Sequence, residues 1–220
     1  MVSSIDRIAR CEQNSRALRI FRRALLVSSV ALAVTPATSL AQTYTFTNNG
    51  AIQTWIVPQS GKYSVTATGA QGASAQTGFA GGLGAQVSDT FNFTSGQLYK
   101  IAVGGAGQVD ANGCNGGGGG GTFFVNSSNT PWLVAGGGGG TRASAGQNGT
   151  DASITQFGTT ASGGSSTYTP TVKSTDLGLG GIVSSGSYGS GGAGFFGNGG
   201  NDSSYGFGGS SWANGGQVSR

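Results

Sequence analysis

The sequence predicts an all-β protein built on an antiparallel β module, with little or no α-helix after an N-terminal leader. Three observations carry that expectation. Apolar and aromatic side chains fall in short alternating runs, which is the strand signature. Turn-forming clusters separate those runs where strands need to reverse. Charged residues make up 8% of the chain and hydrophobic ones 36%, which is not the composition of a disordered polymer.

The elements follow in chain order. Tyr44 and Phe46 alternate with Thr43, Thr45 and Thr47. Trp55-Ile56-Val57 precedes the turn signal Pro58-Gln59-Ser60-Gly61. Tyr63, Val65 and Ala67 then alternate with Lys62, Ser64, Thr66 and Thr68. Ala85, Val87, Phe91 and Phe93 share one parity that Asp89 interrupts, and Thr94-Ser95-Gly96-Gln97 is a second turn. Tyr99, Ile101 and Val103 share a parity again. Phe123 with Val125, and Trp132 to Ala135, close the set. The chain therefore divides into a leader over 1–41, a β module with glycine-rich loops over 42–140, and a glycine- and serine-rich tail over 141–220.

All 45 glycines lie from Gly50 onward. A chain this rich in glycine reads first as a flexible linker, because glycine loses the most entropy on folding. The alternating runs and the scarce charge argue instead for a folded scaffold. Several glycines recur every third residue: Gly78, Gly81 and Gly84; Gly191, Gly194, Gly197 and Gly200; Gly206 and Gly209. A polyproline-II-type helix has three residues per turn, so such spacing leaves one bare side and lets neighbours pack at backbone distance. Packed helices of this kind, irregular glycine loops and chance spacing all fit the pattern. Collagen does not, since the triplet breaks repeatedly and only Pro58, Pro131 and Pro170 follow the leader.

The leader carries Arg7, Arg10, Arg16, Arg19, Arg22 and Arg23, then an apolar run from Ala24 to Val34 that Pro36 ends. Ser39 and Ala41 place small residues at the −3 and −1 positions of a cleavage site before Gln42. Basic, apolar, small is the order of a signal peptide, and the run is too short for a permanent membrane span. Beyond it Lys62, Lys100, Arg142, Lys173 and Arg220 balance Asp89, Asp110, Asp151, Asp176 and Asp202. The basic character thus belongs to the leader, and no basic stripe for nucleic acid remains. Cys114 is the single thiol after Cys11, either an unpaired loop thiol or a site of pairing between chains.

Four stretches stand in a recognisable order: WIVPQSGKYSVTATGAQG over 55–72, GGLGAQVSDTFNFTSGQLYKIAVGGAG over 81–107, GGGGGGTFFV over 116–125 and WLVAGGGGG over 132–140. Their order resembles the glycine-rich region in the extracellular parts of anaplastic lymphoma kinase and leukocyte tyrosine kinase, and of many secreted bacterial proteins. The resemblance covers about 44–140. It implies a jelly-roll-like β module whose glycine-rich insertions can form bundled polyglycine-II helices. In the receptor kinases that region belongs to a ligand-binding ectodomain; no binding residue carries over, because the shared motifs are scaffold motifs.

The chain after the leader has no His and no Glu. A Ser/His/Asp or Cys/His arrangement within one chain is therefore excluded. One Cys and scattered Asp do not make a metal cluster, and Gly140-Thr141-Arg142 lacks the lysine of a phosphate loop. No catalytic, cofactor-binding or metal-binding residue is expected. Tyr188, Phe195, Phe196, Tyr205, Phe207 and Trp212 stand among Gly, Ser and Asn, either as a contact surface for glycan, polymer or protein or as the tail's own core. The expected protein is non-enzymatic and secreted, extracellular, on the cell surface or periplasmic. It works by binding, as a structural or adhesive protein or as a dedicated recognition module. Its partner is a protein or glycan, with no nucleic acid and no membrane span after processing, and self-association stays open.

Overall fold

A computed structural model describes residues 2–8, 41–75, 78–111, 113, 115–141, 148–154, 180–181, 190–201 and 207–212. Its strands are β1 (Val2–Ile8), β2 (Thr43–Thr47), β3 (Gln53–Ile56), β4 (Gly61–Thr68), β5 (Gln86–Phe93), β6 (Leu98–Ala102), β7 (Thr122–Asn126) and β8 (Pro131–Ala135). No α-helix occurs among the described residues. Two four-stranded sheets form, ordered β2-β1-β4-β5 and β3-β6-β7-β8, and every pairing is antiparallel. The fold is all-β, as the alternating runs require.

One shared core joins the sheets. The inward parity of β4 buries Tyr63, Val65 and Ala67, and Tyr63 and Val65 join Trp55, Phe93, Tyr99, Ile101, Val103 and Phe124 in one cluster. Trp55 is the hub, with ring centroids 5.5 Å from Tyr44, 5.5 Å from Tyr63 and 5.7 Å from Phe93. Aromatic pairs at such spacings add about 0.5–1.5 kcal/mol each beyond their buried area. The hub also carries a penalty, because the buried Trp55 Nε1 has no hydrogen-bond partner. Asp89, the break in β5's parity, lies opposite Val65 yet is exposed, because β5 is an edge strand. A charge on an edge strand discourages pairing with another chain.

Burial raises the Tyr99 hydroxyl above its ordinary 10.0. In the unfolded chain this phenol ionises first, so its contribution is fully present below about pH 10 and is lost as pH rises through the folded value. Denaturant midpoints measured from about pH 9 to about pH 11 should therefore fall more steeply for the natural protein than for Tyr99→Phe. Parallel slopes would refute this.

The glycine-rich connections all leave one end of the sheets. Residues 69–85 join β4 to β5, 103–121 join β6 to β7, and the chain from 136 follows β8. Register sets Thr68 opposite Gln86, Ala102 opposite Phe123 and Thr122 opposite Ala135 at that end. The fully buried Thr122 ties the connections together: its Oγ1 donates to Thr68 O (2.7 Å) and accepts from Gly104 N–H (3.0 Å). Towards the far end, Thr141 Oγ1 accepts from Ala75 N–H (2.6 Å) and donates to Ala73 O (3.2 Å).

Between these threonines the backbone bonding repeats every three residues. Gly116, Gly117 and Gly118 donate to Thr141, Gln108 and Phe207; Gly119 and Gly120 then return to the first two neighbours at Gly138 and Gly105. Gly137, Gly138 and Gly139 donate to Ala193, Ala70 and Thr150, after which Gly140 and Thr141 return to Ser190 and Ala73. At most of these glycines the spacing between segments admits no side chain. A Cβ on Gly137 would lie 1.9 Å from Gly119 O, one on Gly119 2.1 Å from Ala70 O, and one on Gly140 1.9 Å from Gly116 O.

The described parts of 141–220 belong to the same array, since Ser190, Gly191, Ala193 and Gly209 bond into or beside the 116–141 segments. The triplet Gly191, Gly194, Gly197 and Gly200 is not one continuous segment. Gly194 N–H donates to Gly197 O (3.0 Å), which closes a turn and sends Gly199 and Gly200 back along Gly209 and Gly181. Gly78 stands in open space at φ +109°, a turn conformation, whereas Gly81 and Gly84 pack against Gly72 and Gly69.

Candidate contact surface

The described tail aromatics divide between core and surface. Phe195, at 4% exposure, is a core residue. Its ring lies 5.6 Å edge-on to Phe123 and stacks on Trp212 at 6.2 Å and 8°. With Ala102, Val125 and Val134 these rings cover the outer face of the second sheet. That is why β7 is buried on both faces, Phe124 towards the first sheet and Phe123 under the tail. Trp212 is half-buried there, and its backbone N–H donates to Phe195 O (3.2 Å).

Phe196 and Phe207 are presented outward, at 66% and 56% exposure. Phe196 rests edge-on against Phe195 with centroids 4.8 Å apart. Phe207 lies further along the array, its carbonyl accepting from Gly118. Tyr188 and Tyr205 lie outside the described residues, as does Cys114. Ala41 and Gln42 are exposed and precede β2 outside any strand.

Two further apolar features escaped the sequence reading. Ile56 and Leu98 face each other in register and are both exposed, on the edge pair β3 and β6. Trp132, 38% exposed, stands 5.2 Å from Phe91 and 5.3 Å from Tyr99, where edge strands β5 and β8 approach. Exposure in β8 runs from both open residues at Pro131 and Trp132 to buried at Ala135, so no alternation marked Trp132 as an outward ring.

The described carboxylates hold backbone. Asp89 Oδ1 accepts from Thr90 N–H (2.6 Å), Asp110 Oδ1 from Asn115 N–H (3.1 Å) and Asp151 Oδ1 from Leu83 N–H (2.6 Å). Among the described residues no three His, Cys, Asp or Glu side chains gather into a metal-holding group, and no helix is long and apolar enough to cross a membrane. No protein-family model matches the chain, and no curated protein matches it. The class defined by fold and surface is therefore an all-β protein of two small antiparallel sheets with glycine-rich connections.

Proposed function

We propose that this is an exported glycine-rich scaffold of the cell surface or extracellular space, structural or adhesive, acting by binding and not by catalysis. One observation carries the reading. The described glycine-rich segments between and after the strands, within 69–85, 103–121, 136–141, 190–201 and 207–212, make a backbone array with three-residue periodicity, in which most glycines face neighbouring backbone too closely for a side chain. Such an array is a rigid platform, and the parts left to vary are its rims and exposed rings. We read the segments as bundled polyglycine-II helices on a jelly-roll-like module, because their period matches three residues per turn. The resemblance to the extracellular glycine-rich region of the receptor kinases supports the same picture.

Export rests on the leader. Fusing residues 1–45 to a reporter should carry it out of the cytoplasm with cleavage after Ala41, and a bulky residue in place of Ala41 should block processing. A native protein that still begins at Met1 would sink the cleavage reading. The second reading, a dedicated recognition module, is favoured by the outward rings of Phe196 and Phe207. Titration of the purified protein against surface extracts and glycan arrays separates the two. A saturable partner lost on Phe196→Ala or Phe207→Ala identifies a recognition module, and weak, unsaturable adhesion identifies a scaffold.

A further inference from the structure

The first sheet contains a strand from the segment that cleavage would remove. β1 lies between β2 and β4 and pairs with both. Its register matches Ser3 with Phe46, Ile5 with Tyr44 and Asp6 with Thr43 on one side. On the other it matches Ser4 with Thr66, Ile5 with Val65 and Arg7 with Tyr63. Ser3 is buried, and its Oγ donates to Thr66 O (2.9 Å).

We propose that the gap between β2 and β4 is a strand-accepting site for one extended peptide, and that residues 2–8 are its occupant. They fill it in cis before processing, and as a separable peptide once the chain is cut after Ala41. The second half of this statement rests on Ala41 as the cleavage point. The mode is strand addition, in which main-chain hydrogen bonds hold the peptide and alternate side chains select it.

The alternative is that β2 slides across and pairs with β4 directly. Without β1 the two strands stand two spacings apart, about 9–10 Å. Closing the gap would move β2 by about one strand spacing, 4.7–4.9 Å. Three contacts oppose that shift. Tyr44 packs against Trp55 with centroids 5.5 Å apart, Asn48 Nδ2 donates to Val103 O (2.5 Å), and Gln53 Nε2 donates to Thr47 O (2.8 Å). They fix β2 to the second sheet and the core. The slot is therefore held open from outside, and β4, whose Tyr63, Val65 and Ala67 are fully buried, would carry a bare edge along it.

The test uses the full chain with an engineered protease site directly after Ala41, folded first and cut afterwards. Hydrogen exchange on the uncut chain should show slow amides over residues 3–7 and in both flanking strands. After cutting, the 1–41 fragment should co-elute with the remainder, and a fluorescent peptide of residues 2–8 should exchange into the site. The same peptide carrying Ile5→Pro should bind at least about tenfold more weakly, because proline removes a ladder donor in mid-strand. Fast exchange at residues 3–7 in the uncut chain would overturn the proposal. Release of the fragment with β2 and β4 still slow, and no peptide uptake, would also overturn it, since β2 would then have closed on β4. Loss of structure on release counts in favour if added peptide restores slow exchange, and against if it does not. The cleavage reading fails separately, by an intact Met1 on the exported protein, and that outcome leaves residues 2–8 in the slot in cis.

Discussion

Gly137→Ala should disrupt the glycine array, while Gly136→Ala, one residue earlier, should leave it intact. Neither glycine has a left-handed φ, so alanine is conformationally acceptable at both and the difference is one of space. At Gly137 the new methyl would sit 1.9 Å from Gly119 O and 2.5 Å from its carbonyl carbon. Both obstacles are backbone, and they belong to a segment fixed by its own bonds, Gly118 N–H to Phe207 O, Gly119 N–H to Gly138 O, Gly120 N–H to Gly105 O and Ala193 N–H to Gly119 O. Relief requires two segments to part, which breaks Gly119 N–H to Gly138 O as well. Over-packing alone costs about 1–3 kcal/mol and sometimes more, and we expect at least about 3 kcal/mol here. In a chain of this size that lowers Tm by roughly 6 °C or more. At Gly136 the nearest atom is 3.7 Å away. There alanine restricts the unfolded chain and should stabilise by about 0.4–1 kcal/mol. Calorimetry on the pair decides it, and equal Tm values would mean that the array is looser than these contacts require.

The strands were legible because their chemistry is local. Tyr44 with Phe46, and Tyr63 with Val65 and Ala67, alternate within the sequence as they do in space, and β2 and β4 fall there. β1 was not legible. Its apolar residues Val2, Ile5 and Ile8 recur every third place, not every second, and its strand character comes from two partners far along the chain. The period-three glycines were only half informative. Gly81 and Gly84 do pack against backbone, but the equally regular Gly194 and Gly197 close a turn. Spacing shows where a bare side could exist, and only the neighbouring segments decide whether it is used. Phe195 and Phe196 make the same point for the candidate surface. Adjacent and identical in the sequence, one enters the core beside Phe123 while the other faces water. What separates them is the turn that the chain makes at Gly194 to Gly197.

Phe195→Ala should release the tail from the sheets without unfolding them, and Val103→Asp should unfold both. Phe195 fills the space between Phe123 and Trp212 on the outer face of the second sheet. Truncating a buried phenylalanine costs about 3–5 kcal/mol. That loss falls on the docking of 190–201 and 207–212, because the described core around Trp55 contains no tail residue. The 136–141 segment would lose its donors' partners at Ala193 and Ser190 but keep those at Ala70 and Ala73. Limited proteolysis of Phe195→Ala should therefore produce new cuts beyond Thr141 and a resistant fragment that retains the strands through β8. The natural chain under the same conditions should keep its tail. Val103, 3% exposed, belongs to the shared core, and its carbonyl holds Asn48. An aspartate there buries a charge among the aromatic rings of the core, which is costly unless an opposite charge pairs with it. No resistant fragment should survive in that variant. If Phe195→Ala digests like the natural chain at an unchanged Tm, the ring does not hold the tail. If instead it digests as completely as Val103→Asp, sheets and tail form one cooperative unit, and the covering of the second sheet is as necessary as its core.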